Sequence, residues 1–210
     1  MIKWIVAVGA LFAGHAGAAT LFSEDFEKGI GKRWQPVKFE GQTAYTIAKE
    51  LGNSVLQAKA ASTASGLGTK IGIPVKPNTT FSWRWKLDRT PPNGSEDVKK
   101  TFDHTVRMYV AFKGGLGPPR TVNYVWGNKL AAGKTFNHPS SGRARFIVLQ
   151  SGDAKAGQWL MEKRDLGADW KMLFGSDEVP SIVAVGLMTD SDGTASTVTG
   201  WYDDLVISAP

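Results

Sequence analysis

The sequence predicts an all-β protein, namely a two-sheet antiparallel β-sandwich or jelly roll with one short helix. Three observations support this fold class. Short segments with alternating apolar and polar residues recur along the chain, as in strands that bury one face. The loops between them carry turn residues, for example "TPPNGSED" and "KGGLGPPR". About ten such strands, without a linker or an internal repeat, fit one two-layer domain better than a small barrel.

The first twenty residues, "MIKWIVAVGALFAGHAGAAT", have the composition of a secretory signal peptide. Lys3 precedes an apolar run, and small residues follow up to Ala19. We therefore predict a signal peptide over residues 1–19, removed after Ala18 or Ala19, and a single domain over residues 20–210. The apolar run is too short to span a bilayer, and no second one follows. The mature protein is expected in the periplasm or outside the cell, without a membrane span.

The predicted strands share apolar alternation or a short apolar run bounded by turn residues. They are 20–26, 43–48, 54–59, 67–74, 79–87, 104–112, 121–127, 144–151, 158–164, 181–189 and 198–207. One segment differs, because "RDLGADWKMLFG" places Leu166, Trp170 and Leu173 at helical spacing. Asp165 can cap the start of this helix and Gly175 its end.

Composition excludes several classes of site. The chain has no cysteine, so disulfides, a lipoprotein anchor, thiol catalysis and thiolate metal sites are all excluded. The formal charge of +6 becomes +5 when Lys3 is removed with the signal peptide. This charge fits either a solubilising surface or an anionic partner such as an acidic glycan. Nucleic acid is disfavoured, because the chain is exported and has no block of Lys and Arg.

Alternation in "TFSWRWKLDR" (80–89) decides which way its tryptophans face. Residues i, i+2 and i+4 of a strand share one face. The apolar face consists of Phe81, Trp83, Trp85 and Leu87. A face made entirely of large apolar residues is a core face, so the tryptophans are predicted to be buried. Arg84 then lies on the polar face.

The polar faces of several predicted strands favour planar side chains that recognise carboxylates and hydroxyls. If these strands are neighbours, their polar residues could line one concave ligand-binding surface. The candidates are Arg84, Asp103, Arg107, Tyr109, Asn123, Glu162 and Arg164. The alternative is a solvated sheet face stabilised by ion pairs between neighbouring strands.

Catalytic and metal-binding motifs are scarce. His104 is in phase with an apolar strand face and is interpreted as a histidine at the edge of the core. Asp190 and Asp192 in "TDSDGTAS" could ligate a structural Ca²⁺, although Asp-Gly is also common in turns. Acidic residues near the two ends of the domain could flank such an ion as well. No other cofactor is predicted.

Seven segments of the sequence together resemble a known family. They are "ASGLGTKI", "FSWRWKLD", "DHTVRMYVAF", "NYVWGNK", "LQSGDAKAGQWLMEKRDLGADWKMLFG", "IVAVGLMTDSDGTAS" and "WYDDLVIS". The chain resembles Domain of Unknown Function 3047, a family of exported bacterial proteins. The resemblance implies a secreted β-sandwich similar to carbohydrate-binding modules and lectin-like domains, and it implies no activity. It also marks Arg84, Asp103, Arg107, Asn123, Glu162, Arg164, Asp190 and Asp192 as motif positions.

Three functions remain open from the sequence. The first is a non-catalytic binder of a glycan or another polyhydroxylated, possibly anionic ligand. The second is an enzyme, either a lyase that uses Arg107, Tyr109 and Asn123 or a hydrolase that uses Asp103 and Glu162. The third is a structural or partner-binding protein of the cell envelope. The binding hypothesis is preferred because no catalytic motif is present, and the oligomeric state is left open.

Overall fold

The computed structural model of the chain describes residues 18–210. The predicted signal peptide therefore lies outside the described residues, except for its last two positions. Ala19 is the first residue of β1, which pairs with the last strand of the domain. Among the described residues, no helix has the length and apolar character needed to cross a membrane.

The strands form two sheets that pack face to face. Sheet 1 has the order β11-β6-β13-β4-β3, with β1 also pairing to β13, and sheet 2 has the order β2-β5-β12-β7-β8-β10-β9. The strands are β1 (Ala19–Glu24), β2 (Gln35–Glu40), β3 (Ala44–Glu50), β4 (Asn53–Ala61), β5 (Ala64–Ile73), β6 (Thr80–Leu87), β7 (Arg107–Phe112), β8 (Arg120–Gly127), β9 (Thr135–His138), β10 (Ser141–Ser151), β11 (Leu160–Asp165), β12 (Ile182–Asp190) and β13 (Thr197–Ala209). The predicted two-sheet β-sandwich is confirmed.

One strand pair departs from the predicted antiparallel arrangement. β10 runs parallel to β8, whereas the other described pairs are antiparallel. The chain makes this parallel pair by crossing from the end of β8 to β9, which then forms an antiparallel pair with β10. Sheet 2 is therefore mixed.

Each predicted strand has a counterpart in the structure, and two strands were missed. β2 and β9 lie at the two edges of sheet 2 and are mostly exposed. Neither buries a regular apolar face, so neither carries the alternation that reveals the other strands. β7 also begins only at Arg107, three residues later than predicted.

The short helix α1 (Leu166–Phe174) forms as predicted. The side chain of Asp165 accepts a hydrogen bond of 2.8 Å from the Ala168 N–H and so caps the first turn. Gly175 ends the helix with φ of 70°, a left-handed conformation that glycine adopts without steric cost. The ring of Trp170 packs 4.9 Å from that of Phe112, which attaches the helix to sheet 2.

The core lies between the sheets and confirms the predicted orientation of β6. All four apolar residues of that strand are 0% exposed. The Trp83 ring lies 5.0 Å from that of Tyr124, and the Trp85 ring lies 6.4 Å from that of Trp126. Because Tyr124 and Trp126 belong to β8, these contacts join sheet 1 to sheet 2.

Removing one of these rings should destabilise the protein strongly. We expect Trp83→Ala to lower the free energy of unfolding by about 3–5 kcal/mol, since it removes buried area and leaves a cavity. Met161→Ala is the control, because that side chain is 63% exposed and its loss should cost less than about 0.5 kcal/mol. Urea denaturation of both variants measures the difference. Equal losses would contradict the assignment of Trp83 to the core.

Candidate functional site

A cavity of about 560 Å³ lies on the outer face of sheet 2. Four of the seven predicted ligand-binding residues line it: Asp103, Arg107, Tyr109 and Asn123. Asp190 and Asp192, the tentative metal ligands, line it as well. The cavity therefore brings together most of the polar residues that the sequence marks, although on one sheet only.

The remaining three candidates lie elsewhere, so the predicted single surface is wrong. β11 pairs with β6 in sheet 1, where Glu162 lies opposite Trp83 and Arg164 opposite Phe81. Strand neighbours point to the same side of a sheet, so Glu162 and Arg164 point inward at the edge of the core. Arg84 lies opposite Met161 and points outward.

These three residues stabilise the sandwich. Arg84 binds Asp203, and its Nε lies 2.9 Å from Asp204 Oδ2. Arg164 binds Asp169, the carboxylate of which also accepts a hydrogen bond of 2.9 Å from the Tyr124 hydroxyl. The Arg84–Asp203 pair between the neighbouring strands β6 and β13 is of the kind that the alternative interpretation of the polar faces expects, whereas Arg164 pairs with a residue of α1.

The predicted hydrolase pair is also separated by this arrangement. Glu162 accepts a hydrogen bond of 2.9 Å from Gln150 Nε2 at the edge of sheet 1, and burial raises the pKa of its carboxyl group. Asp103 lies at the cavity of sheet 2. Because the two carboxylates belong to different faces of the sandwich, they cannot flank one glycosidic bond.

A row of residues across four strands underlies the floor of the cavity, which Tyr109 and Asn123 line. Asn123, Tyr109, Gly186 and Gly68 are neighbours on β8, β7, β12 and β5. A Cβ atom on Gly186 would lie 2.2 Å from the Cζ and hydroxyl oxygen of Tyr109, and one on Gly68 would lie 2.9 Å from that oxygen. The phenol ring of Tyr109 therefore lies along the sheet, in space that these glycines leave free. Burial raises the pKa of Tyr109 to about 12, so its hydroxyl is protonated at neutral pH.

The sequence predicted Tyr109 and Asn123 but not the two glycines beneath the phenol ring. A glycine inside a strand often marks a close approach of another group, and this was the available signal. The residue that approaches Gly186 and Gly68 depends on strand order, which the sequence does not give.

Aromatic rings form one wall of the cavity. The rings of Phe102 and Phe146 meet edge to face at 5.3 Å, and the ring of Phe136 stacks on Phe146 at 4.8 Å. His104 stacks on Phe146 at 6.1 Å, so it lies on the cavity side and not on the inner side that its alternation predicted. The reason is that β7 starts at Arg107, so strand alternation does not extend back to His104.

Arg107 lies beneath this wall and is 7% exposed. Its Nη2 lies 2.7 Å from Asp190 Oδ2 and 3.3 Å from His104 Nδ1. Its guanidinium carbon lies 5.5 Å from the ring centre of Phe146. Burial and the charge of Arg107 lower the pKa of His104 well below its usual value, so this imidazole stays neutral.

Three carboxylates converge at one end of the cavity. Ligand atoms of Asp103, Asp190 and Asp192 lie within 4.8 Å of one another. Burial is the largest influence on Asp190 and raises its pKa to about 7, with Asp103 and Asp192 raising it further and Arg107 opposing them. Burial also raises the pKa of Asp192, and so does the adjacent Asp103.

With this geometry in view, comparison with known proteins places the chain in a family. The family model described as "Protein of unknown function (DUF3047)" matches residues 32–206. The chain belongs to this family. The resemblance inferred from the sequence motifs is thus confirmed. No curated protein is significantly similar to this DUF3047 chain in sequence.

Solved structures similar to this DUF3047 chain are distant in sequence. One is the family 11 carbohydrate-binding module from Clostridium thermocellum in complex with a β-1,3-1,4-mixed-linked tetrasaccharide. It is 11% identical, with a TM-score of 0.46 over 90% of this chain and 95% of that one. The K3 cleaved adhesin domain of Lys-gingipain from Porphyromonas gingivalis is 14% identical, with a TM-score of 0.48 over 91% and 100%. The CBM22-2 xylan-binding domain from Paenibacillus barcinonensis is 15% identical, with a TM-score of 0.44 over 90% and 99%.

The carboxylates of the predicted calcium site already accept hydrogen bonds within the protein. Asp190 accepts N–H bonds at both oxygens, from Arg107 at 2.7 Å and from the His104 backbone at 2.9 Å. Asp103 does the same with the backbone N–H groups of Gly193 and Thr194, at 3.3 and 2.6 Å. Carboxylates satisfied by N–H donors, one of them cationic, fit a calcium ion poorly. The predicted calcium site remains a prediction of the sequence.

Metal addition and removal should therefore have little effect on stability. We expect EDTA, and separately millimolar CaCl₂, to shift the Tm of this family member by less than about 1 °C. An ion bound only by the folded state would stabilise it by about 4 kcal/mol at a thousand times its Kd. A rise of several degrees with calcium, lost in Asp192→Asn, would restore the calcium hypothesis.

Asp190 should make stability depend on pH. Its pKa is about 7 in the folded protein against an ordinary value of 3.8, so the folded state holds this proton more tightly than the unfolded state. Its contribution to stability is therefore fully present below about pH 4 and is lost as the pH rises through 7. We expect Asp190→Asn to reduce the loss of unfolding free energy between pH 5 and pH 8, measured by urea denaturation at each pH. An unchanged difference would contradict the raised pKa.

Proposed function

We propose that this protein binds a polysaccharide in the cavity of sheet 2, as a non-catalytic binder in the periplasm or outside the cell. The observation that carries the proposal is the aromatic floor of the cavity, bordered by hydrogen-bonding side chains. Tyr109 lies along the sheet, and the Asn123 amide is its immediate neighbour on β8. Export rests on the signal-peptide pattern in residues 1–19.

The chemistry of this lining matches that of a sugar ring. A pyranose has apolar C–H faces and a rim of hydroxyl groups that both donate and accept hydrogen bonds. The ring of Tyr109 offers apolar contact area beside the largely buried wall of Phe102 and Phe146, and Asn123 and Asp192 offer polar atoms near it. A cavity of about 560 Å³ falls within the range of small-molecule sites, so it suits a short stretch of a polymer.

The catalytic sets predicted from the sequence are not favoured by the cavity. The predicted lyase set of Arg107, Tyr109 and Asn123 lacks a base at neutral pH, because the Tyr109 hydroxyl has a pKa of about 12 and stays protonated. The imidazole of His104 is 0% exposed and cannot reach a bound sugar. A hydrolase of the expected kind needs Glu162 beside Asp103, and these residues lie on different sheets.

Binding can be measured by isothermal titration calorimetry and affinity electrophoresis against a panel of polysaccharides. The panel contains β-glucan, xylan, mannan and galactan as neutral polymers, and alginate, polygalacturonate and hyaluronan as uronic-acid polymers. We expect at least one polymer to bind. Absence of binding to every polymer by folded protein would overturn the proposal.

Gly186→Ala tests whether the floor of the cavity contacts the ligand. The new Cβ would overlap the phenol of Tyr109, which must swing away from the sheet, so we expect affinity to fall at least about tenfold. Gly72→Ala on β5 is the matched control, because no atom lies within 4 Å of its Cβ position. In a Tyr109→Ala background, Gly186→Ala should have no further effect on affinity.

This double-mutant cycle separates loss of the floor from general damage to the fold. Additive losses in the cycle would show that Gly186 does not act through Tyr109. Equal affinities of the wild type and Gly186→Ala would show that the ligand binds elsewhere. Arg84→Ala, on the outer face of sheet 1, should leave affinity unchanged.

A further inference from the structure

We propose that the cavity selects uncharged polysaccharides and discriminates against uronic-acid polymers, although the protein as a whole is basic. This inference rests on the proposed function, because it specifies the ligand class of the same site. It reverses the sequence-based expectation of an anionic ligand. Three features of the cavity lead to it: the ion pair of Arg107, the position of the carboxylates and the acceptor left on Asn123.

Arg107 is a buried cation beneath the aromatic wall of the cavity, and it already forms an ion pair with an acid of the protein. Its Nη2 lies 2.7 Å from Asp190 Oδ2, and the side chains of the pair are 9% and 5% exposed. A uronate carboxylate would have to compete with Asp190 for this guanidinium at a buried position. Breaking a buried charge pair leaves one charge without compensation, which is costly. Because Asp190 and His104 bind Nη2, Arg107 cannot offer both of its terminal NH₂ groups to a ligand carboxylate without losing one of these bonds.

The cluster of Asp103, Asp190 and Asp192 would also repel the carboxylate of a uronic acid directly. Asp103 is 2% exposed, and two backbone N–H groups hydrogen-bond its carboxylate. Asp192 is exposed at the same end of the cavity, with ligand atoms of the three acids within 4.8 Å of one another. A fourth carboxylate brought to this end would meet like charges at short range, whereas a hydroxyl group could donate to Asp192.

The Asn123 amide offers a ligand an acceptor and not a donor. Asn123 Nδ2 donates to Thr121 Oγ1 at 2.9 Å and to the Arg145 carbonyl at 3.3 Å. These two bonds use both amide hydrogens, so the atom of Asn123 left for a ligand is its Oδ1 acceptor. Hydroxyl groups can donate to this oxygen, and an ionised carboxylate cannot. Asn123 and Asp192 thus favour the same uncharged ligand.

The positive charge of the protein lies largely outside this floor. Lys99 and Lys100 line the rim of the cavity, but both are exposed. Salt screens exposed charges, so these two lysines and the exposed Asp192 are weakened alike, and the buried Arg107–Asp190 pair and Asp103 decide the choice among bound ligands. On sheet 1, Arg84 and Lys86 are paired with acids. The overall charge of +6 is therefore a poor guide to what the cavity accepts.

The decisive experiment compares a polymer with its own uronate derivative. The tightest neutral polymer of the panel that carries C6 hydroxyls is oxidised there to carboxylates; if only xylan binds, it is compared with the natural uronic-acid polymers of the panel. Both forms are titrated by calorimetry at pH 7.5 in 50 mM and 500 mM NaCl. We expect the oxidised form to bind at least about tenfold more weakly at low salt, with the difference reduced at high salt.

Asp192→Asn should recover part of the binding to the oxidised polymer, because it removes the exposed charge and keeps the shape of the side chain. Asp177→Asn, which changes an exposed acid next to α1, should recover none. If the oxidised form, or a natural uronic-acid polymer, binds as tightly as the neutral polymer or more tightly, this inference is overturned and the proposed function stands. If no polymer of the panel binds, the proposed function itself fails.

Discussion

The packing of Trp83 against Tyr124 across the two sheets is the contact on which the rest of the molecule depends. Once Tyr124 points inward, the alternation of β8 turns Asn123 outward, and the neighbouring strand β7 must present Tyr109 on the same outer face. The side chains that line the floor are therefore positioned by the hydrophobic core behind them. A shift of one residue in β7 or β8 would exchange the floor of the cavity with the core.

The alternation of apolar and polar residues predicted most of the strands, but it could not predict which strands pair with one another in the sheets. Alternation in β6 correctly gave a buried tryptophan face and an outward Arg84. It also correctly grouped Glu162 with Arg164, yet it could not show that their strand lies against β6 with Glu162 opposite Trp83. Two arginines of similar chemistry, Arg84 and Arg164, therefore lie on opposite faces of sheet 1. The edge strands β2 and β9 were missed because exposed strands need no regular apolar face.

The sequence predicted those residues of the site that can be grouped by alternation along a single strand. Arg107, Tyr109 and Asn123 were grouped by alternation and do line one cavity. The meeting of Asp103 with Asp190 was not predictable, because it joins two loop-proximal positions far apart in sequence. Pairing also changes what a residue can do. Arg107 reads as a candidate for anion recognition in isolation, but it is committed to a partner that only the folded chain supplies.

Gly186 also gains its role only through its neighbours in the folded chain, although it has no side chain. It lies between Val185 and Leu187, which belong to the core, and it contributes no atom that a ligand could grasp. Its contribution is a vacancy in which a phenol ring can rest. Alanine scanning, which detects importance by deleting atoms, would see this position only as the addition of a methyl group. The shape of the cavity therefore depends on the absence of a side chain at Gly186. A search for residues with functional groups would not find this position.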